Sequence, residues 1–393
     1  MSKSKYGVLK IKLPRSRAMN WDADVIIVGA GPGGASAAYF LGEAGYRVLV
    51  LEKCGLPRYK TCAGGVPTSA MHYFPFDFAP VIEQHIDRAS FVYQEKQITQ
   101  SVPDNSVVMV MRDSFDDFIL GRSKAEVMQG VEVQAIIAGN CGYEVKTMDG
   151  RSFSSRYVLG ADGANSRVAN TMGMRRNSKM GVALEVEAQV SPQVLESFQG
   201  RFLIGLGELQ KGYYWIFPKS GHLSIGLGTM HKGGDKQLFS LFSRVMYKYG
   251  IETERFSHNA HPLPVYNSPN GSLQKGGVLL LGDAAGLVDP LTGEGIRHAI
   301  ESGYLAAHSI ANNQIDLYTE MVDRQIVKDL YYAKRVSDFF YRHQKLSFEC
   351  LVRNKIVFQD LINITTHQLQ YKKGIQKFPY YLLNFWQRIG ADY

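Results

Sequence analysis

Asp24-Val25-Ile26-Ile27-Val28-Gly29-Ala30-Gly31-Pro32-Gly33-Gly34 is the stretch that decides the fold. Val25 to Val28 run apolar without alternation, as a parallel strand covered on both faces requires. The glycines that follow satisfy the GxGxxG spacing: Gly29 permits a tight turn, Gly31 lets a pyrophosphate approach the backbone, and Gly33 with Gly34 lets a helix pack closely on the strand. That helix is expected from about Gly33 to Ala44, stopped by Gly45, and its free N–H groups favour phosphate. Arg47 to Leu51 then gives a second apolar strand ending at Glu52-Lys53. Glu52 stands where a carboxylate at a strand end accepts the ribose hydroxyls of an adenosine. Strand, helix and strand in this order open a doubly wound α/β sheet.

The chain beyond 53 alternates between two patterns. Residues 106–111 read as a strand, Ser114 to Gln129 as a helix capped by Asp113 or Ser114, and 143–148 with 151–154 as a hairpin about Asp149-Gly150. Tyr157 to Gly160 is a short apolar strand entering Ala161-Asp162-Gly163. From about 182 to 229 apolar and polar residues alternate, as in Ala183-Leu184-Glu185-Val186-Glu187, which predicts a second sheet. Residues 277–281 return to the buried parallel type, and a helix follows from Gly295. The expected fold is therefore α/β: a Rossmann-like doubly wound domain (21–175 and 268–320) with an inserted, mainly antiparallel β-sheet substrate domain (176–267, with part of 70–105). A basic arm (1–20) precedes it and a helical C-terminal region (321–393) follows.

Composition supports a large core, with 45% hydrophobic residues and 11% aromatics in 393. No run approaches the roughly eighteen apolar residues of a spanning helix, and the first twenty residues lack the apolar stretch of a secretory signal. Cys54, Cys62, Cys141 and Cys350 show neither metal nor disulfide spacing, so no metal site is expected and a reducing, cytoplasmic location fits. The net charge of +8 is concentrated at the ends: residues 1–20 hold six basic residues and no acid, and 321–393 hold twelve basic against six acidic. No nucleic-acid motif accompanies that charge.

Gly160-Ala-Asp162-Gly163-Ala-Asn-Ser166-Arg167 and Leu281-Gly282-Asp283-Ala284-Ala285-Gly286 each follow an apolar strand. Taken singly, Asp162 and Asp283 suit ordinary turn or helix-cap positions. In this order, after a GxGxxG unit, the sequence resembles the FAD oxidoreductases of the aromatic-hydroxylase superfamily. The resemblance implies FAD as cofactor, with Asp283 by the ribityl chain and Arg112 beside the flavin. It also implies that the helix beginning at Gly293-Glu294-Gly295-Ile296 aims its N-terminus at the flavin, where its dipole stabilises negative charge.

Three further segments resemble the geranylgeranyl reductases within that superfamily. They are Pro57-Arg58-Tyr59-Lys60-Thr61-Cys62-Ala63-Gly64-Gly65, Tyr213-Tyr214-Trp215-Ile216-Phe217-Pro218-Lys219, and Pro290-Leu291-Thr292-Gly293-Glu294-Gly295-Ile296. Ala63 stands where that family usually has glycine. The resemblance covers about residues 22–310 and implies reduction of carbon–carbon double bonds in a polyprenyl lipid. It places Cys62, Ala63 and Gly64 near the flavin, and makes Cys62, Tyr213 and Trp215 the candidate catalytic residues. Two readings stand for each: Cys62 as a proton donor or an inert buried thiol, and Tyr213, Trp215 and Phe217 as a substrate wall or one packed strand face. Lys60 and Lys219 read most economically as surface cations, with contact to a phosphate or a nicotinamide donor as the other reading, and Tyr59 as a loop anchor.

Two other activities share these motifs: a flavin-dependent monooxygenase or halogenase, and a flavin- and isoprenoid-binding protein without turnover. No second GxGxxG unit is present, so NADPH, NADH and ferredoxin are all compatible electron donors. The aromatic and basic C-terminal region, Tyr380 to Trp386 above all, suits peripheral contact with a membrane surface; a helical cap with Val336, Phe339, Phe340 and Leu346 turned inward is the other reading. Oligomeric state leaves no mark on the sequence.

Overall fold

The computed structural model describes residues 21–174, 177–230, 235–251, 259–269 and 271–377. The apolar run at 24–28 becomes the strand Ala23–Val28 in the middle of an eight-stranded sheet. It lies parallel to Val48–Glu52 on one side and to Ser152–Gly160 on the other. Val278–Leu280 continues the parallel set beyond Ser152–Gly160, and Glu126–Gln129 continues it beyond Val48–Glu52. Val25, Ile26, Ile27, Val50, Leu159 and Leu279 have no exposed surface, which is why none of these strands needed a polar face. The helix Pro32–Glu43 packs against the later helix Ile296–Ala311, where the Ser36 hydroxyl donates to the Ile300 carbonyl at 2.9 Å.

The chain leaves this sheet twice to build another. Its seven strands run in the order Asn259–Tyr266, Ser178–Ala188, Leu223–Thr229, Gly212–Pro218, Arg201–Leu206, Arg88–Tyr93 and Lys96–Ser101. Every neighbouring pair is antiparallel except Arg201–Leu206 with Arg88–Tyr93. Leu184, Val186 and Leu227 on one face of this sheet pack under the helix Asp235–Lys248, in one cluster with its Phe242. The opposite face turns toward the nucleotide domain and the C-terminal helices Lys328–Arg342, Gln344–Arg353, Lys355–Thr365 and Tyr371–Gln376. The fold is α/β, a Rossmann-like sheet with a second, mainly antiparallel sheet and a helical C-terminal region.

Three expectations are corrected. The helix expected over Ser114–Gln129 is only Arg112–Leu120, and Glu126–Gln129 is a strand paired with Val48–Glu52; a sheet edge decides the state of that short segment, and no local periodicity reports it. Its cap is neither Asp113 nor Ser114, because Met111 holds the N-cap position without a side-chain bond. In the C-terminal region Val336 and Phe340 do pack inward, but Phe339 and Leu346 are 46% and 48% exposed. The basic arm at 1–20 and the Tyr380 to Trp386 segment lie outside the described residues. Among the described residues no helix is long and apolar enough to cross a membrane.

Candidate active site

The glycine turn sits where the central strand meets its helix. Gly29 has φ +98°, and a side chain there would come within 2.5 Å of the Ala161 carbonyl oxygen, so the close approach of the Ala161-Asp162 backbone requires glycine at this turn. Gly34 is packed against the Gly29 carbonyl, which excludes any side chain. Gly31 caps the helix without a side-chain bond, leaving N–H groups of the first turn open. Glu52 ends the next strand, nearly fully buried, and its Oε2 accepts from the Ala30 N–H at 2.8 Å while Oε1 accepts from Cys54 at 3.1 Å. Lys53, beside it, is exposed.

Asp162 lies directly under this turn. Its Oδ2 accepts from the N–H groups of Arg167 and Val168 at 2.6 and 3.1 Å, so it does cap the next short helix. Its Oδ1 is buried with no partner among the described residues. Asp283 follows the strand Val278–Leu280, and Gly295 is so close that a side chain there would lie 3.2 Å from Asp283 Oδ1. Gly293, with φ +73°, faces the Tyr213 hydroxyl, which bonds the neighbouring Thr292 carbonyl. Ile296 begins the helix Ile296–Ala311, whose N-cap, Gly295, offers no side chain.

An ion-pair chain joins these turns to the cysteine loop. Arg58 lies 3.5 Å from both Glu52 Oε2 and Asp116 Oδ2, and Asp116 pairs with Arg112 at 2.8 Å. Arg112 is in turn an electrostatic neighbour of Cys62. Lys60 contacts the ring of His261. Burial, reinforced by the charge on Arg112, brings the Lys60 ammonium down to about 8, and burial with the charge on Lys60 brings His261 down to about 3.

A cavity of about 270 Å³ opens at the junction of the two sheets. Cys62, Ala63 and Gly64 line it together with Gly293 to Ile296. Tyr213, Trp215 and Phe217 form one wall, and Phe91, Phe202, Leu206, Phe340 and Leu361 extend it as an apolar lining. The structure therefore brings Cys62, Tyr213 and Trp215 into one space, with Arg112 an electrostatic neighbour of Cys62. Gly29, Gly31, Gly33, Gly34, Glu52 and Lys53 stand apart from the cavity lining, and Glu52 closes the other end of the ion-pair chain.

Three residues depart from the sequence reading. Lys219, expected as a surface cation, has no exposed surface: Nζ donates to the carbonyls of Ala63 and Val110 at 2.9 and 2.7 Å. Lys60, taken the same way, is only partly exposed and faces His261. Glu185 read as the polar position of an alternating strand and is fully buried against the cysteine loop. Alternation reveals which residues share a face; it does not reveal that both faces of this strand are covered.

The residues present fit FAD. Side-chain-free turns at Gly29 and Gly31, an open helix N-terminus, a terminal glutamate and a buried, unpartnered Asp162 oxygen are what an adenine-linked flavin with its pyrophosphate requires. Fold and site define an FAD-dependent oxidoreductase. Residues 23–196 match the pyridine nucleotide-disulphide oxidoreductase family. The chain is 30% identical over 330 residues to the chloroplastic geranylgeranyl diphosphate reductase of Oryza sativa subsp. japonica, covering 76% of this chain and 68% of that one. It is 28% identical over 320 residues to the digeranylgeranylglycerophospholipid reductase of Methanocaldococcus jannaschii, covering 77% and 80%. A geranylgeranyl bacteriochlorophyll reductase-like structure from Thermoplasma acidophilum superimposes with a TM-score of 0.71 at 20% identity, covering 93% of this chain and 98% of the other. The chain belongs to the geranylgeranyl reductase family.

Proposed function

We propose that this protein saturates carbon–carbon double bonds of a geranylgeranyl or related polyprenyl chain held in the cavity between the two sheets. The observation that carries the reading is the composition of that cavity. Its lining is mostly aromatic and aliphatic, and it also includes Cys62 and the Gly293 to Ile296 turn. A polyprenyl tail offers nothing but apolar surface to recognise, and this lining supplies it. When bound, FAD supplies the hydride that such a reduction needs.

The protein's own residues have three tasks in this reading. Tyr213, Trp215 and Phe217 hold the chain in place and exclude water, which matters because an isolated alkene carries no carbonyl to polarise it. The Cys62 thiol holds the proton that the second carbon must receive. Arg112, an electrostatic neighbour of Cys62, sets the charge around that thiol. The C-terminal helices turn Phe339, Leu346 and Ile356 outward beside the cations Arg342, Lys345 and Lys355. That mixture suits an anionic lipid surface from which a polyprenyl chain would enter.

Anaerobic incubation of chemically reduced enzyme with geranylgeranyl diphosphate tests the reading by mass spectrometry, with a gain of about two daltons expected for each bond reduced, from the added hydride and proton. No mass gain with the diphosphate or with any geranylgeranyl ether lipid would overturn it.

A further inference from the structure

Glu185 is a buried acid that the reaction outlined above does not use. It has no exposed surface, and it sits on the strand Ser178–Ala188 directly behind the cysteine loop. Its Oε2 accepts from the Cys62 N–H at 2.5 Å and from the Tyr59 hydroxyl at 3.4 Å, and its Oε1 accepts from the Ser224 hydroxyl at 2.5 Å. Ser224 Oγ accepts in turn from the Trp215 indole N–H at 3.4 Å. One carboxyl group thus joins the cysteine, the aromatic wall and Tyr59, whose side of the network meets solvent at 45% exposure.

A carboxylate kept only for architecture would be paired with a cation, since a lone buried charge is costly. The nearby ammonium, Lys219, directs two of its three N–H donors to the Ala63 and Val110 carbonyls and makes no ion pair with Glu185 closer than 4.0 Å among the described residues. The other titratable groups around Glu185 are Glu187 on its own strand, paired with His222 at 2.6 Å, and the neutral His261 on the neighbouring strand, two positions along from Asn259, which opposes Glu185. Burial, against the pull of Ser224, pushes the Glu185 carboxyl up to about 7, so it carries an exchangeable proton at neutral pH.

We propose that Glu185 is the proton reservoir behind Cys62, returning a proton to its sulfur after each double bond is reduced and refilling from water through Tyr59. The proposal rests on the alkene-reduction reading. In the step itself, the Cys62 S–H bond breaks as a new C–H bond forms on the alkene carbon. The resulting thiolate takes the Glu185 carboxyl proton, leaving a carboxylate. That carboxylate takes a proton from water by way of the Tyr59 hydroxyl, and hydroxide leaves to solvent. The sulfur and the N–H that Glu185 holds belong to one residue, a side chain's length apart. Glu185 never touches the substrate and acts through Cys62.

The test uses flavin-loaded enzyme carrying Cys54→Ser, Cys141→Ser and Cys350→Ser, so that alkylation by iodoacetamide reports Cys62. Negative charge on Glu185 opposes the thiolate. Glu185→Gln is therefore expected to alkylate several-fold faster than the Glu185 parent at about pH 8 and at the same rate at about pH 5.5. Equal rates at both pH values overturn the proposal. In turnover with geranylgeranyl diphosphate, Glu185→Gln should reduce the first bond at the parental rate and later bonds about tenfold or more slowly, and Glu185→Asp should recover part of that loss. A parent that reduces successive bonds while Glu185→Gln keeps pace on all of them overturns the proton reservoir alone. A parent that reduces no polyprenyl compound overturns the underlying reading as well.

Discussion

The ammonium of Lys219 donates at 2.9 Å to the carbonyl of Ala63, and a cation without exposed surface thereby ties the aromatic strand to the loop that carries Cys62. The same ammonium reaches Val110, just ahead of the Arg112 helix, at 2.7 Å. Gly64 must be glycine for this, since with φ +67° any side chain would overlap the Val110 carbonyl and the ammonium together.

Lys219→Met keeps the aliphatic stem and removes the two donated bonds. Leaving two buried carbonyls without a donor is expected to cost about 1–3 kcal/mol. Urea midpoints at neutral pH measure it. An unchanged midpoint would mean that the loop finds other donors.

Gly34→Ala should abolish flavin retention, because the added carbon overlaps the Gly29 carbonyl and forces the phosphate turn apart. Fluorescence titration of the purified variant with FAD is the check. Tight binding would show that the turn can relax without loss.

Trp215→Ala removes a side chain that is almost fully buried and lines the cavity. A stability loss of about 3–5 kcal/mol is expected from the space left behind. Trp215→Phe should cost less and keep the flavin while lowering polyprenyl turnover. Calorimetry and a turnover assay on the two variants separate packing from substrate positioning.

Glu294 and Glu185 should give stability profiles of opposite sign. Burial pushes Glu294 up, but His367 at 2.6 Å and Arg297 outweigh it and hold the carboxyl at about 2, below its ordinary 4.5. Its stabilising contribution is present above about pH 4.5 and is lost as pH falls toward 2, so Glu294→Gln should flatten the acid limb of stability. Glu185 lies above its ordinary value, so the folded state holds the proton more tightly than the unfolded chain. Its cost grows as pH rises from 4.5 through about 7, and Glu185→Gln should gain stability above that range. Urea midpoints across pH 3 to 9 would show both, and parallel curves for either variant would refute its assignment.

Much of the nucleotide-binding half was legible because its signals are local. Gly29, Gly31, Gly33 and Glu52 announce strand, turn, helix and strand through steric demands that each residue meets by itself. The Trp215 strand was legible for the same reason, since alternation marks a shared face. Other features were not. The helix read through Ser114–Gln129 stops at Leu120, because Glu126–Gln129 finds a sheet edge that no neighbouring residue announces. Phe339 and Leu346 were assigned to a buried face on apolar character alone, and what a helix packs against decides that.

The sequence by itself determined that a dinucleotide-type cofactor could lie on this chain, because glycine at a φ near +98° and a carboxylate at a strand end are requirements of backbone geometry and hydrogen bonding within a few dozen residues. Tertiary structure alone decided the roles of Lys219 and Glu185. A lysine or glutamate on a strand carries the same letters whether water or a second layer covers it. Only the closing of the cysteine loop over the antiparallel sheet took both side chains out of solvent and gave them their partners.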